Sequence, residues 1–223
     1  MTHVFFDAGN TLVYVNMELV SAALARRGGR ATPGELWRSE HRARREIDDP
    51  ELVRTTTDGS RWALYFERIF AGCGITRPGV VRPAIAELRE RHASDNIWES
   101  VPPEVPLVLD LLRRRHRLAV VSNSNGTVRE KLRRVGLLPY FEVVIDSHEE
   151  RIEKPDPRIF RRAMERTGAR PGRSLYVGDF YHIDVAGARA AGMRAVLLDP
   201  GGAHADKPVR RIASIGALLG GPH

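Results

Sequence analysis

Short apolar runs alternate with helical patterns along the chain, and this alternation predicts its architecture. Residues 3–6, 118–121, 141–145, 174–177 and 195–198 are apolar runs bounded by turn residues, which is typical of buried strands. Segments with apolar positions at helical spacing separate the last four runs. Buried strands that alternate with helices of about 10–15 residues favour βαβ units and a parallel sheet.

Between the first run and the second, the pattern is helical. Apolar residues recur at helical spacing from about residue 16 to residue 91, and Gly and Pro clusters divide this stretch into three or four predicted helices. We therefore predict an α/β fold, with a Rossmann-like parallel sheet and helices on both of its faces. Residues 1–14 and 96–223 are expected to form this core, and residues 15–95 an all-helical insert.

The chain is basic, which raises the question of nucleic-acid binding. Its formal charge is +7 over 223 residues. Only three of its 35 basic residues are lysines, and the arginines are scattered through helical stretches without interleaved aromatic residues. This distribution favours solvated helix faces over a nucleic-acid patch, and the same charge suits an anionic substrate.

Cysteine content and hydropathy indicate the compartment. The single cysteine, Cys73, excludes an internal disulfide and fits a reducing environment. The first apolar run is too short for a signal peptide, whose apolar region has about 7–15 residues. Later runs fall short of the roughly 20 residues needed to cross a bilayer. We expect a cytoplasmic protein with no membrane partner.

Polar residues that could take part in chemistry follow three predicted strands. Asp7 ends the first strand, Ser122 the second and Asp179 the fourth. In open α/β sheets, binding sites form where loops leave the carboxyl ends of the strands. These three side chains are therefore expected to converge at one edge of the sheet.

Four motifs resemble those of the haloacid dehalogenase superfamily of hydrolases, in the family's order. Residues 5–12 read Phe-Phe-Asp-Ala-Gly-Asn-Thr-Leu and resemble the first motif, and residues 120–123, ending in Ser-Asn, resemble the second. Residues 153–157, Glu-Lys-Pro-Asp-Pro, resemble the third, and residues 177–184, with Gly-Asp and a later Asp, the fourth. Together they span nearly the whole chain apart from the insert, which makes the resemblance specific.

The resemblance implies a magnesium-dependent hydrolase, most commonly a phosphatase. Asp7 would attack the substrate phosphorus and form an aspartyl-phosphate, a recognised use of a carboxylate in covalent catalysis. Mg²⁺ would be bound by Asp7, Asp179 and the backbone carbonyl of Gly9, in keeping with its preference for a few carboxylates, water and phosphate oxygens. Asp184 would hold a metal-bound water or orient Lys154.

The resemblance also implies which groups bind the phosphoryl oxygens. The Ser122 hydroxyl and backbone N–H groups near Asn10 and Asn123 would donate hydrogen bonds to them. Lys154 would neutralise the nucleophile and the charge that develops on these oxygens. The expected substrate is a small phosphorylated metabolite, and sugar phosphates, nucleotides and organic acid phosphates all fit.

Gly9 departs from the phosphatase pattern, which has a second Asp two residues after the nucleophile. In phosphatases of the family that Asp protonates the leaving group and then activates water, and general acid–base catalysis of this kind contributes about 10²–10⁴-fold. Gly9 keeps a carbonyl for the metal but has no proton to give. The neighbouring Asn10 amide does not titrate in the useful range. Turnover is expected to be reduced unless another acid acts.

Three functions remain open. The first is a phosphomonoesterase that is slow or that borrows an acid from the insert, where the candidates are Glu40, His41, Glu46, Asp48 and Asp49. The second is a degenerate family member that binds a phosphorylated ligand or partner with little catalysis. The third is a haloacid dehalogenase, which displaces halide without a metal. The presence of Asp179 and Asp184 favours a metal site and therefore disfavours this third function.

The insert argues against one branch of the family. Phosphonatase-like members form a Schiff base with a lysine of the insert, and no lysine lies between Val13 and Trp98. In the family, a helical insert at this position acts as a cap that closes over the site, excludes water and sets specificity. A cap of this size suits small soluble substrates.

Overall fold

The computed structural model describes residues 1–220. Their strands are β1 (His3–Phe6), β2 (Tyr14–Val15), β3 (Trp98–Ser100), β4 (Arg117–Ser122), β5 (Val143–Asp146), β6 (Ser174–Gly178), β7 (Arg194–Leu198) and β8 (Arg210–Ile212). Their α-helices are α1 (Met17–Ala25), α2 (Pro33–Ile47), α3 (Pro50–Thr55), α4 (Asp58–Gly72), α5 (Pro78–Asp95), α6 (Glu104–Arg113), α7 (Val128–Arg134), α8 (Ser147–Glu150), α9 (Pro157–Thr167) and α10 (Ala186–Ala190). None of these helices combines the length and apolar character needed to cross a membrane.

Six strands form one parallel sheet in the order β5-β4-β1-β6-β7-β8. The chain begins at β1, adds β4 and β5 on one side, and then crosses to the other side for the last three strands. Within the sheet this is the doubly wound 3-2-1-4-5-6 order, whose ligand crevice opens where the strand order reverses. Here that point lies between β1 and β6, and the predicted Rossmann-like α/β core is confirmed.

Both faces of the central strands are buried, as their continuous apolar runs require. Successive side chains of a strand point to opposite faces, and every residue of β1 and β6 is buried. Phe5, Val121 and Tyr176 belong to a core cluster that also includes residues of α9 and α10. This packing fixes the ends of β1, β4 and β6 relative to one another.

The structure divides the chain into two compact units. The core unit comprises Met1–Tyr14 and Ser100–His223, of which residues 221–223 lie outside the described part of the chain. The helical unit comprises Val15–Glu99, so it ends beyond the predicted boundary at residue 95. The difference arises because β3 pairs with β2. A strand this short carries too little periodicity to be recognised, and the sequence pattern predicts a loop there.

The helical unit has five helices in the described residues, against three or four predicted. The additional helix is α3, where the Asp49 side chain accepts hydrogen bonds from the N–H groups of Glu51 and Leu52. One and a half turns are too few to show an apolar period. The longer α2 and α4 begin at capping boxes formed by Thr32 and Thr57.

The segment after β6 also differs from expectation. The sequence predicts one α-helix, but the structure has a π-helix (Tyr181–Val185) that continues as α10. The Asp184 carboxylate turns back and accepts hydrogen bonds from the N–H groups of Asp179 and Phe180. Single π-turns of this kind frequently lie at functional sites.

The last part of the sheet was not predictable in detail. The edge strand β8 has two exposed arginines among its three residues, so it lacks the apolar run that marks the other strands. The predicted final helix around Leu218 is a 3₁₀-helix (Ile215–Leu219).

Close packing of α10 generates a first prediction. A Cβ on Gly187 would come within 2.6 Å of Phe160 Cε2 and 2.8 Å of the Pro155 carbonyl oxygen, which belongs to the backbone directly after Lys154. We expect Gly187→Ala to lower the free energy of unfolding by about 1–3 kcal/mol, measured by urea denaturation, because backbone cannot yield as a flexible side chain can. The matched control is Gly79→Ala, at an open position of α5, which is expected to be neutral or slightly stabilising. Equal stability of the two variants would contradict the close approach.

Candidate active site

The sheet register brings the three strand-end residues to one edge. Phe6 of β1 is paired with one residue of β4 and one residue of β6. Along each strand from these paired positions, Asp7 comes one residue later, and Ser122 and Asp179 come two residues later. All three side chains are buried. The Ser122 hydroxyl donates a hydrogen bond to the Asn123 carbonyl at 3.4 Å. The convergence expected from the strand ends is therefore present in the structure.

Lys154 lies in the middle of this group and is 3% exposed. Its Nζ atom lies 2.7 Å from Asp7 Oδ1, 2.7 Å from Asp184 Oδ1 and 3.0 Å from the Tyr176 hydroxyl. An ammonium has three protons, so each has one acceptor. A substrate oxygen could bind Lys154 only in place of one of these acceptors, and the predicted substrate contact of this lysine stays a prediction.

Asn123 fixes the backbone of Lys154. Its Oδ1 accepts a hydrogen bond from the Lys154 N–H at 2.8 Å, and its Nδ2 donates to the Lys154 carbonyl at 3.1 Å. The side chain of Asn123 is thus engaged with the protein itself. The substrate contact predicted for this residue was through its backbone N–H, and that role stays a prediction.

Asp184 contacts Lys154 and the start of the turn that follows β6. Its Oδ1 accepts from Lys154, and its Oδ2 accepts from the N–H groups of Asp179 and Phe180 at 3.1 and 3.0 Å. A Cβ on Gly178 would collide with this carboxylate. The contact with Lys154 fits one of the two roles expected of Asp184, and its role beside a metal stays a prediction.

The loop after Asp7 folds back on itself. The Asn10 N–H donates to the Val13 carbonyl at 2.8 Å, and the N–H groups of Leu12 and Val13 both donate to the Ala8 carbonyl. Asn10 has a φ of 50°, a left-handed conformation that Asn tolerates better than most residues. The N–H of Asn10 is therefore occupied, and a phosphoryl oxygen could use it only by displacing Val13.

Tyr176 is a site residue that the motifs do not indicate. It is fully buried in β6, and its hydroxyl contacts Lys154 and donates to the Val121 carbonyl at 2.7 Å. The sequence shows only an aromatic residue in a buried strand. A polar tip in such a residue usually finds a partner when buried, which is the one signal that could have drawn attention to it.

Burial and charge act together on the titratable groups. Burial raises the pKa of Asp7, and Lys154 opposes that rise while Asp184 adds to it. Burial acts to lower the pKa of Lys154, but Asp184 and Asp7 outweigh it and hold this pKa well above its ordinary value. Lys154 is therefore a permanent cation, and Asp7 is a buried carboxyl group whose charge depends on nearby cations.

The donor set and the charge of this site fit Mg²⁺. In the described residues, no three His, Cys, Asp or Glu side chains are grouped so as to hold a metal ion. Mg²⁺ does not require three, because it keeps several waters and binds one or two carboxylates together with substrate phosphate. Asp7 and Asp179 flank the crevice between β1 and β6. Two buried carboxylates, Asp7 and Asp184, contact the single ammonium of Lys154, so these three groups carry a formal charge of −1 that favours a further cation.

Within the helical unit, the candidate acids contact other groups of the protein. Glu40 is fully buried, lies 2.8 Å from Arg44 and accepts a hydrogen bond from the Tyr65 hydroxyl at 3.0 Å. Asp49 caps α3. Glu46 lies 3.5 Å from Arg68. These contacts single out none of the five candidates as a catalytic acid.

Comparison with known proteins identifies the family. A model of the haloacid dehalogenase-like hydrolases matches residues 1–192. The chain belongs to this hydrolase family. The resemblance of its four motifs is thereby confirmed. Residues 1–192 include every predicted site residue, from Asp7 to Asp184.

Curated relatives of the hydrolase include phosphatases. The chain is 31% identical over 213 residues to ribulose-1,5-bisphosphate 5-phosphatase of Halopiger xanaduensis, covering 89% of this chain and 85% of that one. It is 38% identical over 157 residues to phosphoserine phosphatase of Thermus thermophilus, covering 63% of each. It is 31% identical to bovine haloacid dehalogenase-like hydrolase domain-containing protein 3, covering 74% of this chain and 66% of that protein. The chain thus spans about two thirds of the last two relatives.

Solved structures of both phosphatases and dehalogenases share the fold. A HAD phosphatase from Thermococcus onnurineus is 26% identical, with a TM-score of 0.61 and 99% of each chain covered. A 2-haloacid dehalogenase from Pseudomonas syringae is also 26% identical, with a TM-score of 0.59 and 98% and 97% covered. The fold therefore does not choose between the two chemistries, and the site residues must.

The charge balance generates a second prediction, for metal-free protein. Lys154→Met leaves the buried carboxylates of Asp7 and Asp184 without their cation, and breaking a buried ion pair in this way is expected to cost about 3–5 kcal/mol of unfolding free energy. Asp7→Asn removes a carboxylate whose pKa burial raises, so it should unfold at an equal or higher urea concentration than wild type in EDTA. A Lys154→Met protein as stable as wild type would contradict the charge balance.

The pH dependence of stability tests whether the pKa of Asp7 is raised in the folded protein. Because the folded pKa of Asp7 lies above its unfolded value, this group favours the fold at low pH, and its contribution is lost as the pH rises through the folded pKa. The advantage of Asp7→Asn over wild type should widen between about pH 4 and about pH 7. A constant difference across that range would show that the Asp7 carboxylate is not penalised by burial.

Proposed function

We propose that this protein is a magnesium-dependent phosphatase that acts on a small phosphorylated metabolite through an aspartyl-phosphate on Asp7. The observation that carries the proposal is the buried cluster in which the Lys154 ammonium contacts the carboxylates of both Asp7 and Asp184. A carboxylate can approach a dianionic phosphate only where cations neutralise both groups. The phosphatases among the relatives support the same chemistry.

Each residue of the cluster then has a distinct task. Asp7 accepts from Lys154 through Oδ1, so its other oxygen remains to attack the phosphorus. Lys154 stabilises the charge of the nucleophile, and Ser122, which ends the adjacent strand, would donate its hydroxyl to a phosphoryl oxygen. Mg²⁺ held by Asp7, Asp179 and the Gly9 carbonyl would supply positive charge beside the transferred phosphoryl group.

Gly9 determines which substrates suit this site. Formation of the aspartyl-phosphate expels the leaving group as an oxyanion, and no carboxylic acid at position 9 can protonate it. Leaving groups of low pKa, such as phenols, depart without a proton and should react well. Alkoxide leaving groups should react slowly, because general acid catalysis is worth about 10²–10⁴-fold.

The relatives support a class of substrate rather than a compound. By their names, they act on phosphoserine, glyceraldehyde 3-phosphate and ribulose 1,5-bisphosphate, which are all small phosphate esters of alcohols. We place the substrate of this protein among small phosphorylated metabolites, and we expect esters of simple alcohols to turn over slowly because of Gly9. The separate helical unit, Val15–Glu99, is proposed to act as its cap.

A dehalogenase is the second candidate, favoured by the similarity to the 2-haloacid dehalogenase structure. Both reactions use an Asp nucleophile. Displacement of halide needs no metal, so it would leave the excess negative charge of the Asp7, Asp184 and Lys154 cluster unbalanced. A ligand-binding family member with little catalysis would keep the cluster but release no phosphate.

The third prediction concerns the nucleophile and metal. With 4-nitrophenyl phosphate, we expect wild-type protein to release phosphate in the presence of Mg²⁺ and not in EDTA. We expect Asp7→Asn to lower the rate of phosphate release at least about 10³-fold, because no covalent intermediate can form. Stopped-flow detection of nitrophenol would show a burst if hydrolysis of the intermediate is slow. No release by wild type at high enzyme concentration would reject the phosphatase proposal, and 2-chloropropionate and phosphate-binding assays would then distinguish the alternatives.

The fourth prediction restores the missing acid. The backbone of Gly9 lies outside the left-handed region, so an L-residue can adopt its conformation. We expect Gly9→Asp to raise kcat/KM for an alkyl phosphate such as phosphoserine by about 10²-fold or more, and for 4-nitrophenyl phosphate by much less. Gly9→Asn is the matched control, because it has nearly the same size and cannot transfer a proton. Equal gains from Asp and Asn would show that the effect is not acid catalysis.

A further inference from the structure

Tyr176 is fully buried, and its hydroxyl both accepts and donates a hydrogen bond. Its ring is completely buried and packs edge-on against Phe160, with ring centroids 5.0 Å apart. A phenylalanine would fill the same place in β6 without bringing a polar atom into the core. A buried hydroxyl costs free energy unless it is hydrogen-bonded, so its partners indicate what it does.

The protons of this hydroxyl network can be assigned. Lys154 has only donors, so the Tyr176 oxygen must accept from it at 3.0 Å. The single hydroxyl proton is then left for another acceptor, and the Val121 carbonyl at 2.7 Å is closer than Asp184 Oδ1 at 3.3 Å. The Tyr176 hydroxyl thus holds Lys154 on one side and the end of β4 on the other.

Without this hydroxyl, one ammonium proton of Lys154 would lose its acceptor in a buried site. The ammonium could then rotate or shift between Asp7 and Asp184, which both contact it at 2.7 Å. The Val121 carbonyl, next in sequence to Ser122, would lose its donor as well. Two groups that the reaction needs in fixed positions therefore depend on one tyrosine.

We propose that Tyr176 is a positioning residue that holds the Lys154 ammonium against Asp7. Its hydroxyl accepts the third hydrogen bond of the ammonium and donates to the Val121 carbonyl, which anchors the ammonium to the end of β4. This inference rests on the phosphatase function proposed above. Tyr176 touches neither the phosphorus nor the leaving group. It acts through Lys154, so its removal should affect the chemical step more than substrate binding.

The test compares two variants of the same packed pair. Tyr176→Phe removes only the hydroxyl. We expect kcat for 4-nitrophenyl phosphate with Mg²⁺ to fall about 10- to 100-fold, because a hydrogen bond to a charged group is lost. We expect KM to stay within about 3-fold of the wild-type value. Phe160→Leu disturbs the ring contact but leaves the hydroxyl network. It should lower the urea midpoint of unfolding and leave kcat unchanged.

A double-mutant cycle tests whether Tyr176 acts through Lys154. Added to Lys154→Met, Tyr176→Phe should lower kcat by less than about 2-fold further, because the contact is already gone. An undiminished effect in that background would overturn the proposal. So would a Tyr176→Phe enzyme with wild-type kcat, a raised KM at unchanged kcat, or a loss of kcat equalled by Phe160→Leu.

Failure of the two proposals can be told apart. If wild-type protein releases no phosphate, the phosphatase function fails, and the same four proteins of the cycle are compared by urea midpoint. Non-additive midpoints would support Tyr176 as the residue that holds Lys154. Additive midpoints would overturn it independently of any activity.

Discussion

The buried ammonium of Lys154 is the interaction on which the site depends. It meets Asp7 from β1, Asp184 from the π-helix and Tyr176 from β6, while Asn123, just after β4, holds its backbone. All four sequence motifs therefore meet at one charged group. Because the ammonium is buried and each of its protons has an acceptor, a displacement of any of these elements leaves a polar group unpaired in a dry site.

The same group links the fold to the chemistry. The doubly wound strand order opens a crevice between β1 and β6, and Asp7 and Asp179 stand at its two sides. Burial makes it energetically unfavourable for charged carboxylates to lie close together. The single lysine compensates only part of their charge. Such a site is less stable than an apolar one would be. Under the proposed function, a divalent cation bound together with the substrate phosphate would offset this unbalanced charge.

Gly9 is the position at which the chain departs from the pattern of the family's phosphatases. Under the proposed function, the groups that form the aspartyl-phosphate lie in the core unit, whereas the residue that would transfer protons is absent from position 9. Two of the candidate acids in the helical unit, Glu40 and Asp49, are already occupied by structural hydrogen bonds. An Asp7 nucleophile would therefore act with reduced help for the leaving group.

The sequence by itself determined five of the six strands of the sheet, the family, and the identity of Asp7, Ser122, Lys154 and Asp179 as strand-end or motif residues. Those features follow from local apolar runs and from residue types at short spacing, which are visible along the chain. Tertiary structure alone decided that Asp7 and Asp184 both contact the Lys154 ammonium, that Asn123 holds the Lys154 backbone, and that the Tyr176 hydroxyl accepts the third hydrogen bond of the ammonium. These contacts join side chains from separate strands and loops, so they depend on sheet register and on the direction of each side chain, which no local pattern specifies.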